Sequence, residues 1–195
     1  LPIRNQATIG GNVANASPIG DMPPLLLALN ATLHLDNGNE MRTVPLSAFF
    51  TGYRETQLAH GEWISAIQIP LKQSNQVLAA YKISKRFEDD ISAVCAVFNV
   101  TIEDGKIEAI SSGFGGVAAT PITCSALESA LIGKQFSSKE CLNLGKQILF
   151  DAFSPIDDVR ATAEYRKTVL ANLWHRFWLE HQSVSKIETR VVQHA

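Results

Sequence analysis

Three short segments carry residue types and spacings that could hold a nucleotide-like ligand. The first is Thr8-Ile9-Gly10-Gly11-Asn12. Adjacent glycines let a backbone reach φ > 0 and approach a ligand closely, and successive N–H groups in such a turn form an anion-binding nest. Thr8 and Asn12 add a hydroxyl and an amide, so the set suits a pyrophosphate; an ordinary turn is the other reading of the same residues. It is not a GxGxxG fingerprint and no strand precedes it, which argues against a Rossmann site. The second segment is Asn15–Asp21 (NASPIGD). Asp21 can cap a helix, accept from sugar hydroxyls, or do both. The third is Lys82–Asp90 (KISKRFEDD). It reads as a solvated charged loop, except that Lys82 falls inside a strand pattern, where its ammonium would favour a bound anion. No nucleophile–base arrangement accompanies these segments: neither GxSxG nor HExxH occurs, and the five histidines are scattered.

Those residues need elements to position them. Residues 1–20 are rich in Gly, Asn and Ser and read as ordered loop and turns. Asp21 with Pro23-Pro24 begins a short helix that Asn30 can close. Ala31–Leu35 and Met41–Val44 read as strands around an Asn37-Gly38 hairpin turn, and Trp63–Ile69 as another, stopped by Pro70. Polar Lys72–Gln76 marks a boundary. Beyond it, Val77–Ser84, Ala93–Ile102 and Ile107–Gly115 form a three-stranded antiparallel sheet. Helices follow over Ser125–Ile132 and from Ser137-Ser138 to about Ala152. The longest is expected to open at Asp157-Asp158 and run to about His181. Its buried stripe includes Val169, Leu170, Leu173, Trp174, Phe177 and Trp178, with Arg160, Arg166 and Lys167 toward the other side. Strands followed by helices make the class α+β. The domains expected are 1–74, 75–185 and a polar tail, 186–195.

Composition narrows the function further. The 195 residues are 46% hydrophobic and 18% charged with net charge −2, which is globular and carries no basic excess for nucleic acid. No apolar run is long enough for a bilayer. Three cysteines far apart, Cys95, Cys124 and Cys141, point to buried free thiols in a reducing, cytoplasmic compartment rather than to a metal site. Leu1 runs straight into the Gly-Gly segment, so the chain reads as the later part of a longer one.

Taken together, Ile3-Arg4-Asn5, Thr8–Asn12 and Ser17-Pro18-Ile19-Gly20-Asp21 resemble the second flavin-binding motif of the xanthine dehydrogenase and aldehyde oxidase flavoproteins, the molybdenum hydroxylase family. Phe49-Phe50, Gly52-Tyr53-Arg54, Glu62 and Ile67-Gln68-Ile69-Pro70 continue the match. So do Lys85–Ile91, Gly113–Ala118 and Tyr165-Arg166, and the resemblance spans nearly residues 1–182. It implies the second lobe of an FAD-binding domain followed by a CO dehydrogenase flavoprotein C-terminal-like domain. It also implies residue roles. Thr8, Ile9, Gly10, Gly11 and Asn12 would lie along the pyrophosphate and ribityl region, and Asp21 would bond the polyol or phosphate end. Ile64 would pack on the flavin, Lys82 would sit near the ring's polar edge, and Asp89 would lie on the face where NAD arrives. Electrons would come from [2Fe–2S] clusters, fed by a molybdopterin centre on other domains or subunits that hydroxylates purines, aldehydes or related heterocycles. The family's first flavin loop is absent here, Gly20 stands where a serine is common, and Trp63 where an aliphatic residue is. A piece holding half the cradle is expected to fold and retain no FAD by itself. Two further readings are a cofactor-free docking module for the other subunits, and the flavoprotein part of a CO dehydrogenase or aldehyde oxidase relative.

Overall fold

The computed structural model describes residues 5–85, 91–182, 187 and 189. After Asn5 and Gln6, which are also helical, the described chain carries two short helices, α1 (Ile9–Ala14) and α2 (Met22–Ala28). A hairpin follows, β1 (Thr32–Asp36) and β2 (Met41–Pro45), which turns at Gly38 with φ +87°. Next come the one-turn helix α3 (Leu46–Phe49), the small pair β3 (Phe50–Gly52) and β4 (Glu55–Thr56), and β5 (Trp63–Gln68). The first sheet runs β2-β1-β5, all antiparallel. Leu33 and Leu35 point from it into a core with Leu26, Leu27, Val44, Leu46 and Phe49.

The second sheet is β6 (Gln76–Ser84), β7 (Ser92–Glu103) and β8 (Lys106–Gly115), antiparallel in that order. Asp104 and Gly105 turn β7 into β8, both with positive φ. Three helices follow among the described residues: α4 (Ser125–Leu131), α5 (Lys139–Asp151) and α6 (Ala163–Glu180). The expected three-stranded antiparallel sheet with helices is therefore present.

β7 explains its own composition. Its residues from Ser92 to Thr101 are all buried, because both faces are covered. Val94, Ala96, Phe98 and Val100 face the helical layer, where Phe98 meets Trp174 and Phe177 at ring-centroid distances of 5.3 Å each. Cys95 and Val97 face Ala28 of α2. A strand covered on both sides reads as a continuous apolar run rather than an alternation. Asn99 continues the α2-facing set, and its amide and the Ser111 hydroxyl both donate to Ala28 O, at 3.1 and 2.6 Å, satisfying one of the helix's orphan carbonyls.

Three expectations are corrected. Residues 9–14 are helical rather than loop. The last helix begins at Ala163, capped by Thr162, and not at Asp157-Asp158. Those aspartates bond locally instead: Asp158 accepts from the Arg160 and Ala161 N–H groups at 2.8 and 3.0 Å, and Asp157 accepts from Ala163 N. Such Asx bonds hold a turn that competes with helix. Arg166, finally, is not on the solvent side of α6; it is 2% exposed. The polar tail lies outside the described residues except for Ile187 and Thr189, the latter taking a 2.8 Å hydrogen bond from Arg176 Nε.

Candidate functional site

The Gly-Gly segment does not form a left-handed nest. Gly10 and Gly11 sit in the first turn of α1 and are absent from the positive-φ glycines. Thr8 is the N-cap: its Oγ1 accepts from Gly11 N at 3.0 Å, and Asn12 N closes onto Thr8 O at 3.1 Å. A Ser/Thr cap makes helix the lower-energy path for this backbone. Close approach, not φ, explains Gly11, since a Cβ there would lie 2.9 Å from Thr8 Oγ1. Ile9 is exposed. Gly10 borders Ile64 of β5, whose Cβ would lie 3.9 Å from an added methyl, so these two predicted site residues meet. Among the described residues, Asn12 Oδ1 is buried without a hydrogen-bond partner, beside Gly20.

Asp21 stands at the N-cap position of α2 but makes no side-chain capping bond. Its Oδ2 takes a 2.8 Å ion pair from Lys82 Nζ, and its Oδ1 accepts the Ser92 hydroxyl. Both partners of the ion pair remain 39% exposed, so the pair is open to a ligand. Two residues 61 positions apart, each predicted from its own segment, therefore meet. Ser92 is the member that sequence reasoning missed. Beneath it, Lys82 pairs across the sheet with Cys95, whose thiol is pushed up to about 12, chiefly by burial. Asp89 lies outside the described residues. The side chain preceding that segment, Lys85, donates to Val159 O at 3.1 Å.

Next to this constellation is a cleft of about 590 Å³. Its walls are Ser17, Pro18 and Ile19 from the loop before Asp21, Tyr53 and Arg54, the loop after β8, and Ser154, Pro155, Ile156, Asp158 and Arg160. Arg166 forms part of the wall: its guanidinium donates to Ala93 O, to Gly116 O at 2.9 Å and to Asp158 Oδ1 at 2.6 Å. A helical count from Leu170, Leu173, Trp174 and Phe177 places residue 166 on that same buried stripe, so the periodicity itself could have found it.

Burial pushes the Asp158 carboxyl up, but hydrogen bonds from Ala161 N, Arg160 N and Arg166 outweigh it and leave the group at about 2. A depressed carboxylate contributes stability that is full above its unfolded pKa, near 4, and is lost as pH falls through about 2. Acid titration of unfolding is therefore expected to fall between pH 4 and pH 2, and Asp158→Asn to flatten that slope. Unchanged pH dependence in the variant would disprove it. Two other carboxyls titrate in the same window: burial pushes Glu180 up but Thr189, Tyr81 and Arg176 hold it at about 2, and the hydrogen bonds from Arg42 and Ala59 N hold Glu62 at about 2.

The comparisons with known proteins agree with this layout. Residues 1–72 match the FAD binding domain in molybdopterin dehydrogenase, and residues 79–181 match the CO dehydrogenase flavoprotein C-terminal domain. The nicotinate hydroxylase hnxS of Emericella nidulans is 40% identical over 182 residues, covering 90% of this chain and 14% of that protein. Xanthine dehydrogenase of the same organism is 35% identical, covering 96% of this chain and 14% of its own length. The chain thus spans about one-seventh of the curated relatives it matches. Among solved structures, CO dehydrogenase from Hydrogenophaga pseudoflava superposes with a TM-score of 0.84 at 28% identity, covering 90% of this chain and 60% of that one. Reconstituted CO dehydrogenase from Oligotropha carboxidovorans gives 0.83 at 30%, with the same coverage. The two-part match, in this order and over this length, makes the chain a member of the molybdenum hydroxylase flavoproteins, carrying their FAD-binding domain and their CO dehydrogenase-type C-terminal domain.

Proposed function

We propose that this chain supplies the part of the FAD site lying on the second lobe and C-terminal domain of a xanthine dehydrogenase-type enzyme. The observation that carries the reading is the convergence of Asp21 and Lys82, both part-exposed, at the N-terminal end of α2. The residues fit the group. Among the described residues Asn12 Oδ1 is a buried acceptor without a donor, and a polyol hydroxyl would satisfy it. The N–H groups of Ile9 and Gly10 have no partner within α1, as at any helix start, and lie on the pyrophosphate side in this reading. Asp21 accepts from cofactor hydroxyls, Ile64 supplies apolar contact, and Lys82 favours added negative charge on the ring. Bound FAD supplies two-electron carriage; the protein binds and tunes it.

In the whole enzyme, electrons reach this site from a [2Fe–2S] domain fed by a molybdopterin-binding subunit, in cytoplasmic purine oxidation. They leave to NAD on the side of Asp89. The adjoining cleft supports that exit: it is bordered by Arg54 and Arg160, whose guanidinium groups suit the phosphates of a dinucleotide.

The test is FAD titration of the intact protein and of Lys82→Met. Loss of a charged partner is expected to weaken FAD by about tenfold or more. Undiminished FAD affinity in the variant would remove Lys82 from the site.

A further inference from the structure

Ser92 should not face Asp21 by simple alternation. Along β7 the even residues Val94, Ala96 and Phe98 face the helical layer, while Cys95 and Val97 face α2. Strict period-two geometry would send Ser92 with the even set. The register shows why it does not. Ile83 pairs with Val94 and Ser84 with Ser92, so Ala93 is one extra residue on β7, a β-bulge. A bulge flips the side chains beyond it to the opposite face and leaves backbone groups outside the ladder. Both consequences are visible. Ser92, 1% exposed, joins Lys82 on the α2 face and gives its hydroxyl to Asp21 Oδ1. The Ala93 carbonyl is taken up by the buried guanidinium of Arg166.

We infer that Ser92, re-aimed by the Ala93 bulge that Arg166 holds, is a positioning residue of the FAD site. With Lys82 on Oδ2 and Ser92 on Oδ1, the Asp21 carboxylate is fixed in plane, and the outward lone pairs are presented to the cofactor. Gly20 has no side chain to do this, and the space is tight there: an added Cβ would lie 3.4 Å from both Asn12 Oδ1 and Ser17 O. The hydroxyl therefore comes from a strand 71 residues away. The inference rests on the FAD reading of Asp21.

The test is a double-mutant cycle on the intact protein, stripped of FAD and titrated with FAD. Ser92→Ala leaves no buried donor orphaned, and Asp21 remains accessible to water, so unfolding is expected to stay nearly unchanged. FAD binding is expected to weaken by about tenfold. In an Asp21→Asn background the same Ser92→Ala change is expected to have no further effect, because Ser92 acts through Asp21. Equal weakening in both backgrounds, or no weakening in either, overturns the role of Ser92. If Asp21→Asn alone leaves FAD affinity intact, the reading of Asp21 falls, and this inference with it.

Discussion

Replacing Arg166 with Met is expected to destabilise the protein by about 3–5 kcal/mol, the usual cost of removing one partner from a buried charged network. The residue is 2% exposed and serves three acceptors on separate segments: Ala93 O before the body of β7, Gly116 O after β8, and Asp158 before α6. Methionine fills much of the volume but donates to none of them, so the Ala93 and Gly116 carbonyls lose their guanidinium donor and Asp158 keeps only its Arg160 and Ala161 bonds. Arg166→Lys keeps the charge and loses the fork, and is expected to fall between the two. Denaturant unfolding followed by tryptophan fluorescence reads this directly, since Trp174 lies in the same core as α6 and β7. A loss below about 1 kcal/mol in Arg166→Met would show that solvent replaces the guanidinium without penalty.

Gly113→Ala is expected to be nearly as damaging, by a different route. A Cβ at Gly113 would sit 2.7 Å from the carbonyl carbon of Pro24 and overlap its oxygen. That neighbour is helix backbone and cannot rotate away, so α2 must lift from β8. Overpacking of this kind costs about 3 kcal/mol. Because Asp21 directly precedes α2, FAD affinity is expected to fall with stability. Gly133→Ala is the comparison that isolates steric contact from backbone strain. Gly133 has φ +79° and nothing within 4 Å of an added Cβ, so only the left-handed conformation is penalised, by about 1–2 kcal/mol. Equal effects at the two glycines would mean that helix–sheet contact is not what Gly113 protects.

Much was legible locally. Asn37-Gly38 and Asp104-Gly105 announce their hairpins, Ser138 caps α5 through Cys141 N at 3.0 Å, and Gly133 follows α4 with the positive φ such a position favours. These features depend on neighbouring residues, and turn chemistry and capping act over three or four positions. The family resemblance implied cofactor roles for both Asp21 and Lys82, and the structure brings the two into a 2.8 Å ion pair. Short-range rules failed where two local solutions compete. A Gly-Gly pair permits a nest, yet Thr8 Oγ1 draws it into a helix. Two aspartates resemble a helix start, yet their carboxylates hold a turn, and α6 waits for Thr162.

What the sequence by itself determined is the family, the order of strands and helices, and the apolar stripes that must be buried. Each follows from residue type and short-range spacing. What only the tertiary structure decided is which polar groups meet across those elements: Ser92 with Asp21, Arg166 with Ala93 and Gly116, and the N-terminal end of α2 with a lysine from β6. Those meetings depend on a one-residue bulge at Ala93 and on glycines that admit α2 against the sheet. The physical reason is parity: one extra residue reverses every side chain beyond it, and composition leaves no trace of where that residue falls.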